Sequence, residues 1–211
     1  MGKGEKEKKD LYIEGVQNNG IINHYEYIIN SEGTIEIRHV LKPEGKMPLW
    51  FPRIGLTLTV SDALDQVKWY GRGPQENYPD RKTGYPTGIY ASTVQAMYEP
   101  YLMPQDYGLR TDVRWLQLTT DKGIGLQFKM NEWFNFNIYP YSTDNLTKAM
   151  YTYQLQKQKG MTLNLDYATT GVGCTARGVF GAYKAMPQEY RRTISLSLIH
   201  ISEPTRHAQI S

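Results

Sequence analysis

Short runs in which apolar and polar residues alternate, each cut off by a turn, recur from Leu11 to Leu198. A period of two is the mark of a half-buried strand. Ile35, Ile37, His39 and Leu41 alternate with Glu36, Arg38 and Val40; Ile54, Leu56, Leu58 and Val60 alternate with Gly55, Thr57 and Thr59. Phe134, Phe136 and Ile138 alternate with Asn135, Asn137 and Tyr139. Turn chemistry falls between the runs, at Asn30-Ser31-Glu32-Gly33 and at Thr120-Asp121-Lys122-Gly123, so both read as hairpins. Ser142 to Met150 is the one helix candidate, capped by Ser142 or Thr143. The chain is therefore expected to be all-β, a large antiparallel β-sandwich of about a dozen short strands in two packed sheets with few short helices. His39 lies on an apolar face and reads as a core histidine.

Composition narrows the function classes. In 211 residues the net charge is only +3 and no long basic patch stands out, which argues against a nucleic-acid partner. No apolar run reaches the length of a membrane span, and the N-terminus lacks a signal-peptide core. Bacterial cytoplasm and periplasm both stay open as the location. The one cysteine, Cys174, excludes an internal disulfide. Seventeen tyrosines are unusual; tyrosine suits half-buried strands, and it also suits the faces of sugars. Residues 1–10 are Gly, Lys and Glu with little that is apolar, so they read as a disordered lead-in to a domain over residues 11–195. Residues 196–211 read as an unstructured tail; Leu196 to Arg206 resembles the translation of a sequencing-library adapter.

The densest chemistry lies in Trp69-Tyr70-Gly71-Arg72-Gly73-Pro74-Gln75-Glu76-Asn77-Tyr78-Pro79-Asp80-Arg81. Two prolines exclude a helix or a central strand, and Gly71 and Gly73 suggest backbone angles that a side chain would forbid. The result is an ordered loop. Arg72, Glu76, Asp80 and Arg81 are expected to pair with one another or with Arg110 and Arg114. Arg110, Asp112 and Arg114 alternate and should share a strand face, either as partners of that loop or as a sugar-facing patch, with Trp115 opposite in the core. Glu76 and Asp80 could form a glycosidase carboxylate pair, but the carboxylate–guanidinium alternation favours internal salt bridges. The four histidines and the cysteine show no metal-ligand spacing. There is no phosphate loop, nucleophile elbow or dinucleotide fingerprint.

The same loop carries a family resemblance. WYGRGPQENYPDRKTG resembles the signature of the C-terminal β-sandwich domain of the large bacterial β-galactosidases, in the second glycoside hydrolase family. Pro52-Arg53-Ile54-Gly55 precedes it; Tyr98-Glu99-Pro100-Tyr101, Pro104 to Trp115, Leu165-Asp166-Tyr167 and Gly171-Val172-Gly173 follow in family order. The resemblance implies a galactose-mutarotase-like sandwich that closes over the mouth of a separate catalytic barrel. The two catalytic glutamates and the family's metal ions lie in other domains, so neither catalytic residue nor cofactor is expected here. A tryptophan after the Gly-Val-Gly segment packs on the sugar in well-known members. Here that loop reads Cys174-Thr175-Ala176-Arg177-Gly178-Val179-Phe180, which leaves Arg177 or Phe180 to substitute. The candidate sugar-contacting set is Arg72, Glu76, Asn77, Asp80, Arg110, Asp112, Arg114, Arg177 and Phe180. The implied partners are a β-galactoside or other carbohydrate and the missing barrel. A stand-alone aldose epimerase-like enzyme and a carbohydrate-binding module are the alternatives.

Overall fold

The structure, a computed structural model, describes residues 5–14, 20–31, 33–173 and 178–200. The strands are β1 (Glu5–Glu14), β2 (Gly20–Ile29), β3 (Thr34–Glu44), β4 (Arg53–Val60), β5 (Gln66–Arg72), β6 (Thr87–Thr93), β7 (Arg110–Thr119), β8 (Ile124–Tyr139), β9 (Met161–Thr169) and β10 (Tyr190–His200). Among the described residues one short α-helix, α1 (Thr143–Lys148), follows β8, and single 3-10 turns lie at Thr152–Gln154 and Gly181–Tyr183; the cap of α1 is Ser142, whose hydroxyl accepts from the Asn145 N–H at 3.0 Å.

The fold is all-β and antiparallel, but the strands are not split into two separately bonded sheets. They form one ladder in the order β1-β2-β3-β10-β8-β7-β5-β6, with β9 and then β4 branching off β8. The length of β8 makes this possible. Its first half, Ile124 to Met130, pairs with β10, and its second half, Asn135 to Tyr139, pairs with β9. The ladder thus runs through β8 into both layers, and the main core lies between them. Leu163 and Leu165 of β9 meet Trp69 of β5, Val113, Leu116 and Leu118 of β7, and Phe134 and Phe136 of β8 in one buried cluster. A second cluster holds Leu41, Ile54, Tyr167, Tyr190 and Ile194. His39 lies beside it, 1% exposed, its ring nitrogens 2.7 Å from the Tyr167 hydroxyl and 3.0 Å from Asn23 Oδ1. Burial pulls its pKa down to about 4, so it is neutral at physiological pH.

The ends depart from expectation. The lead-in expected through Asp10 is part of β1, which pairs with β2 along its whole length. A strand at a sheet edge is held by backbone hydrogen bonds and needs no apolar face. Likewise β10 continues past Ser195 to His200 between β3 and β8, with Leu196 opposite both Ile35 and Phe128. A central position in the ladder satisfies its N–H and C=O groups on two sides, which terminal sequence alone does not reveal. Residues 201–211 lie outside the described residues.

The expectations at Gly71 and Gly73 also need correcting. Neither has a positive φ. What they supply is room: a Cβ at Gly71 would lie 2.8 Å from Val113 Cγ2, and one at Gly73 would lie 2.8 Å from the Tyr90 ring.

Candidate site: a cleft between two buried polar clusters

The loop over residues 72–81 leaves β5 at Arg72 and packs against the segment 97–109. Asn77 anchors it. This residue is fully buried; its N–H donates to Leu109 O at 2.8 Å and its Oδ1 accepts from the Thr111 N–H at 3.0 Å. Glu76 follows it inward and is 6% exposed. One carboxylate oxygen accepts from Arg81 Nη2 at 2.8 Å and from the Tyr101 hydroxyl; the other accepts from the Gly108 N–H at 2.9 Å and the Tyr78 hydroxyl at 3.3 Å. Burial and the neighbouring carboxylate raise the pKa of both tyrosines, so they stay protonated and donate.

Asp80 does not join Glu76, and no arginine pairs with it among the described residues. Its oxygens accept from the Val172 N–H at 3.1 Å and the Gly173 N–H at 2.7 Å. The loop thereby fixes the Gly171-Val172-Gly173 turn, more than ninety residues away. Gly171 is required there, because a Cβ would lie 2.3 Å from Asp80 Cγ. Gly171→Ala is expected to push Asp80 off these amides and to destabilise the fold by about 1–3 kcal/mol. Hydrogen exchange at Val172 and Gly173 reads this directly; exchange as slow as in the parent chain would mean that Asp80 does not hold the turn.

The second cluster is built from residues to which the sequence alone assigns no role. Along β9 the odd positions Leu163 and Leu165 face the core, while Thr162, Asn164 and Asp166 face the other way and are still buried. Arg53 at the start of β4 reaches Asp166, with Nη2 at 2.6 Å and Nε at 3.2 Å, and also contacts Asn137 Oδ1 at 3.1 Å and Asp106 Oδ1 at 3.3 Å. Asn164 continues the network to Asn137 at 2.9 Å and to the Tyr139 hydroxyl at 3.0 Å. Burial pushes the Asp166 carboxyl up to about 6 against the pull of Arg53. Burial also disfavours the Arg53 charge, but Asp166 and Asp106 more than offset this and hold its pKa above the ordinary value. The register offered a signal for this cluster: Asn135 and Asn137 of β8 stand opposite Asp166 and Asn164 of β9, and polar residues facing each other on two strands suggest a shared network.

Between the clusters is a cleft of about 200 Å³ lined by Arg53 and Asp106 on one side, Tyr78 and Tyr101 on the other, and Val172 at the rim. It presents a guanidinium, a carboxylate, two phenols and the edge of a glycine-rich turn. Such a mixture can hydrogen-bond a polyol, although Asp106 Oδ1 already accepts from Arg53 and Asn137.

The remaining candidates lie elsewhere. Arg72 pairs with Asp112 and donates to Lys82 O and Tyr85 O, both at 3.0 Å. Lys82 Nζ reaches Asp112 at 2.8 Å. Burial pushes the Asp112 carboxyl up, but Arg72 and Lys82 outweigh it and hold the pKa below the usual range. Asp112 sits at φ 54, where the β7–β8 register shifts on both sides of Val113. These irregularities break the alternation, so Arg110, Asp112 and Arg114 do not share a face. Arg110 is buried over Trp69 and donates to Gly108 O at 2.9 Å, its Nε without a partner among the described residues; burial pulls its pKa down to about 10. Arg114 stacks on Trp133 and Tyr70. Trp115, expected in the core, is only half-buried, because the shift turns Leu116 inward instead. Phe180 is 64% exposed, beside the Gly171 turn through Tyr183. Arg177 lies outside the described residues.

The match to known proteins is specific. Residues 4–196 match the model of the beta galactosidase small chain. The chain belongs to that family. A β-galactosidase of Priestia megaterium is 38% identical over 147 residues, 70% of this chain and 14% of the relative. One from Vibrio cholerae is 39% identical over 122 residues, 58% of this chain and 11% of the relative. One from Pseudoalteromonas haloplanktis is 34% identical over 148 residues, 70% of this chain and 14% of the relative. The chain thus spans only about a seventh of the curated relatives it matches. A solved structure of a GalM/aldose epimerase homologue from C. elegans superposes with a TM-score of 0.49 at 12% identity, covering 94% of this chain and 66% of that one.

Proposed function

We propose that this small-chain domain is a non-catalytic module of a larger β-galactosidase, and that its cleft edge, the Asp80-held Gly171–Gly173 turn, helps to shape the galactoside pocket of the whole enzyme. The share of the relatives' length that it covers carries this reading. The chemistry of the loop supports it. Glycoside hydrolysis needs one carboxyl to protonate the leaving group and another to attack or activate water. Here Glu76 receives four protein donors and Asp80 caps a backbone turn, so neither is free for that work.

The face around the turn has the character of a covered surface. Leu49, Trp50, Val172, Phe180, Tyr183 and Met186 are each at least 39% exposed, and they are stitched together by the Phe51–Ala185 bridge, the Gly171–Tyr183 hydrogen bond and Lys184 over Trp50. A contiguous apolar patch of this kind marks an interaction site, and the partner we assign to it is the catalytic part of the parent enzyme.

The pure chain is expected not to turn over a chromogenic β-galactoside. Added to a β-galactosidase lacking its small-chain region, it is expected to restore activity. Turnover by the pure chain, or failure to restore activity despite binding, would overturn the reading.

A further inference from the structure

A second cavity stands apart from the cleft beside the glycine turn. It is a pocket of about 540 Å³ at another place on the sandwich, within the roughly 300–1,000 Å³ typical of small-molecule sites. None of its lining residues lines the smaller cleft. Its floor is apolar, from Val94 and Met161, which are 5% and 3% exposed. Its walls carry Tyr98, Tyr107 and Tyr141, and its rim carries Asp62, Gln95 and Lys157.

The tyrosines are close enough to influence one another. Burial first, then Tyr141 and Tyr98, raise the pKa of Tyr107; burial and Tyr98 raise that of Tyr141. The Tyr98 and Tyr107 rings meet edge-on at 5.2 Å. Among the described residues, no hydrogen bond engages any of the three hydroxyls, and neither Asp62 nor Lys157 forms an ion pair. The pocket therefore offers neutral phenols, the carboxylates of Asp62 and Asp65, the latter also accepting from Gln66 Nε2, an ammonium donor and the amides of Gln95 and Gln158 around an aromatic, apolar base.

We infer that this pocket is a second binding site, specific for a neutral sugar. Each class of group points the same way. Tyrosine rings take the apolar C–H face of a pyranose while their hydroxyls bond its rim. A carboxylate and an amide accept from and donate to adjacent hydroxyls. A phosphorylated ligand is disfavoured by Asp62 and Asp65, with Lys157 as the single cation on the lining. A purely apolar ligand would strand the phenols and the charged rim. The site lies wholly on this chain, so it stands or falls independently of the module reading.

The test uses the chain as it is, titrated with galactose and with lactose and followed by calorimetry and amide chemical shifts. Shifts are expected around Tyr98, Tyr141 and Gln158. Asp62→Asn, at an exposed position, and Tyr141→Phe, which keeps the ring, are each expected to weaken binding about tenfold, whereas Gln105→Ala in the smaller cleft should leave it unchanged. The absence of shifts with either sugar would overturn the assignment. So would shifts that survive Asp62→Asn and Tyr141→Phe but vanish with Gln105→Ala, which would place the sugar in the cleft instead.

Discussion

Replacing Glu76 with alanine is expected to lower the unfolding free energy by about 3–5 kcal/mol, the cost of breaking a buried ion pair from one side. The opposite limit, about 0–1 kcal/mol, holds for exposed pairs, and burial decides between them. The Glu76 side chain is 8% exposed. Although Arg81 on the other side is half in water at 49%, three further donors converge on the carboxylate from the Tyr78 and Tyr101 hydroxyls and the Gly108 N–H. Alanine leaves the buried Tyr78 hydroxyl and the Gly108 amide without an acceptor, and each unsatisfied group costs on the order of 1–3 kcal/mol. Glutamine should not rescue. Each carboxylate oxygen receives two donors, so whichever position the amide nitrogen takes, it faces donors rather than acceptors. Urea denaturation of Glu76→Ala and Glu76→Gln would read the loss, and for a domain of this size about 3 kcal/mol lowers the Tm by roughly 6–12 °C. Stability unchanged in both variants would mean that the loop is not a brace, and would return Glu76 to the list of groups available for sugar.

What the sequence made legible was local. The turns at Asn30–Gly33 and Thr120–Gly123 close as hairpins, with Asn30 N–H to Thr34 O at 3.1 Å and Thr120 N–H to Ile124 O at 2.8 Å. Ser142 caps α1, and the alternation through Ile37 and Leu41 places His39 inside. Each of these is decided by residues a few positions apart. What the sequence did not make legible depends on register and on distant partners. The irregular pairing around Val113 moves every side chain beyond it by one position, so the alternation of Arg110, Asp112 and Arg114 misleads. Arg53 and Asp166 are 113 positions apart, and no local pattern joins them. The loop 69–81 was recognisable as the densest run of chemistry, yet its carboxylates divide between two tasks: Glu76 gathers its own neighbours, while Asp80 fixes a turn more than ninety residues away. A one-dimensional reading could count the charges there but not assign their partners.

The Arg53–Asp166 pair gives the second large effect, and its pH dependence distinguishes it from simple loss of packing. Arg53→Met keeps an apolar stem and removes the guanidinium from Asp166, which is 2% exposed. At about pH 8 the expected destabilisation is about 3–5 kcal/mol, because a buried carboxylate is left without its counter-ion. In the parent chain burial already pushes Asp166 up to about 6, above its ordinary value of 3.8. A raised folded-state pKa contributes stability that is full below the unfolded value and is lost as pH rises to the folded value. For the parent chain that loss is complete near pH 6. Without Arg53 the carboxyl moves higher still, since the group that opposed burial is gone, and the loss continues upward in pH. The gap between variant and parent should therefore be nearly constant below about pH 6 and widen above it by about 1.4 kcal/mol per pH unit until the new pKa is passed. Adding Asp166→Asn removes the titration, so above about pH 6, where the parent's own loss is complete, the double variant should keep a fixed offset from the parent and exceed the single variant in stability at about pH 8. Unfolding free energies at several pH values check this. A gap of the same size at about pH 5 and about pH 8 would show that Asp166 does not depend on Arg53 for its charge, and that the cluster is held by its other hydrogen bonds, from Thr169 to Asp166 and from Asn164 to Asn137, alone.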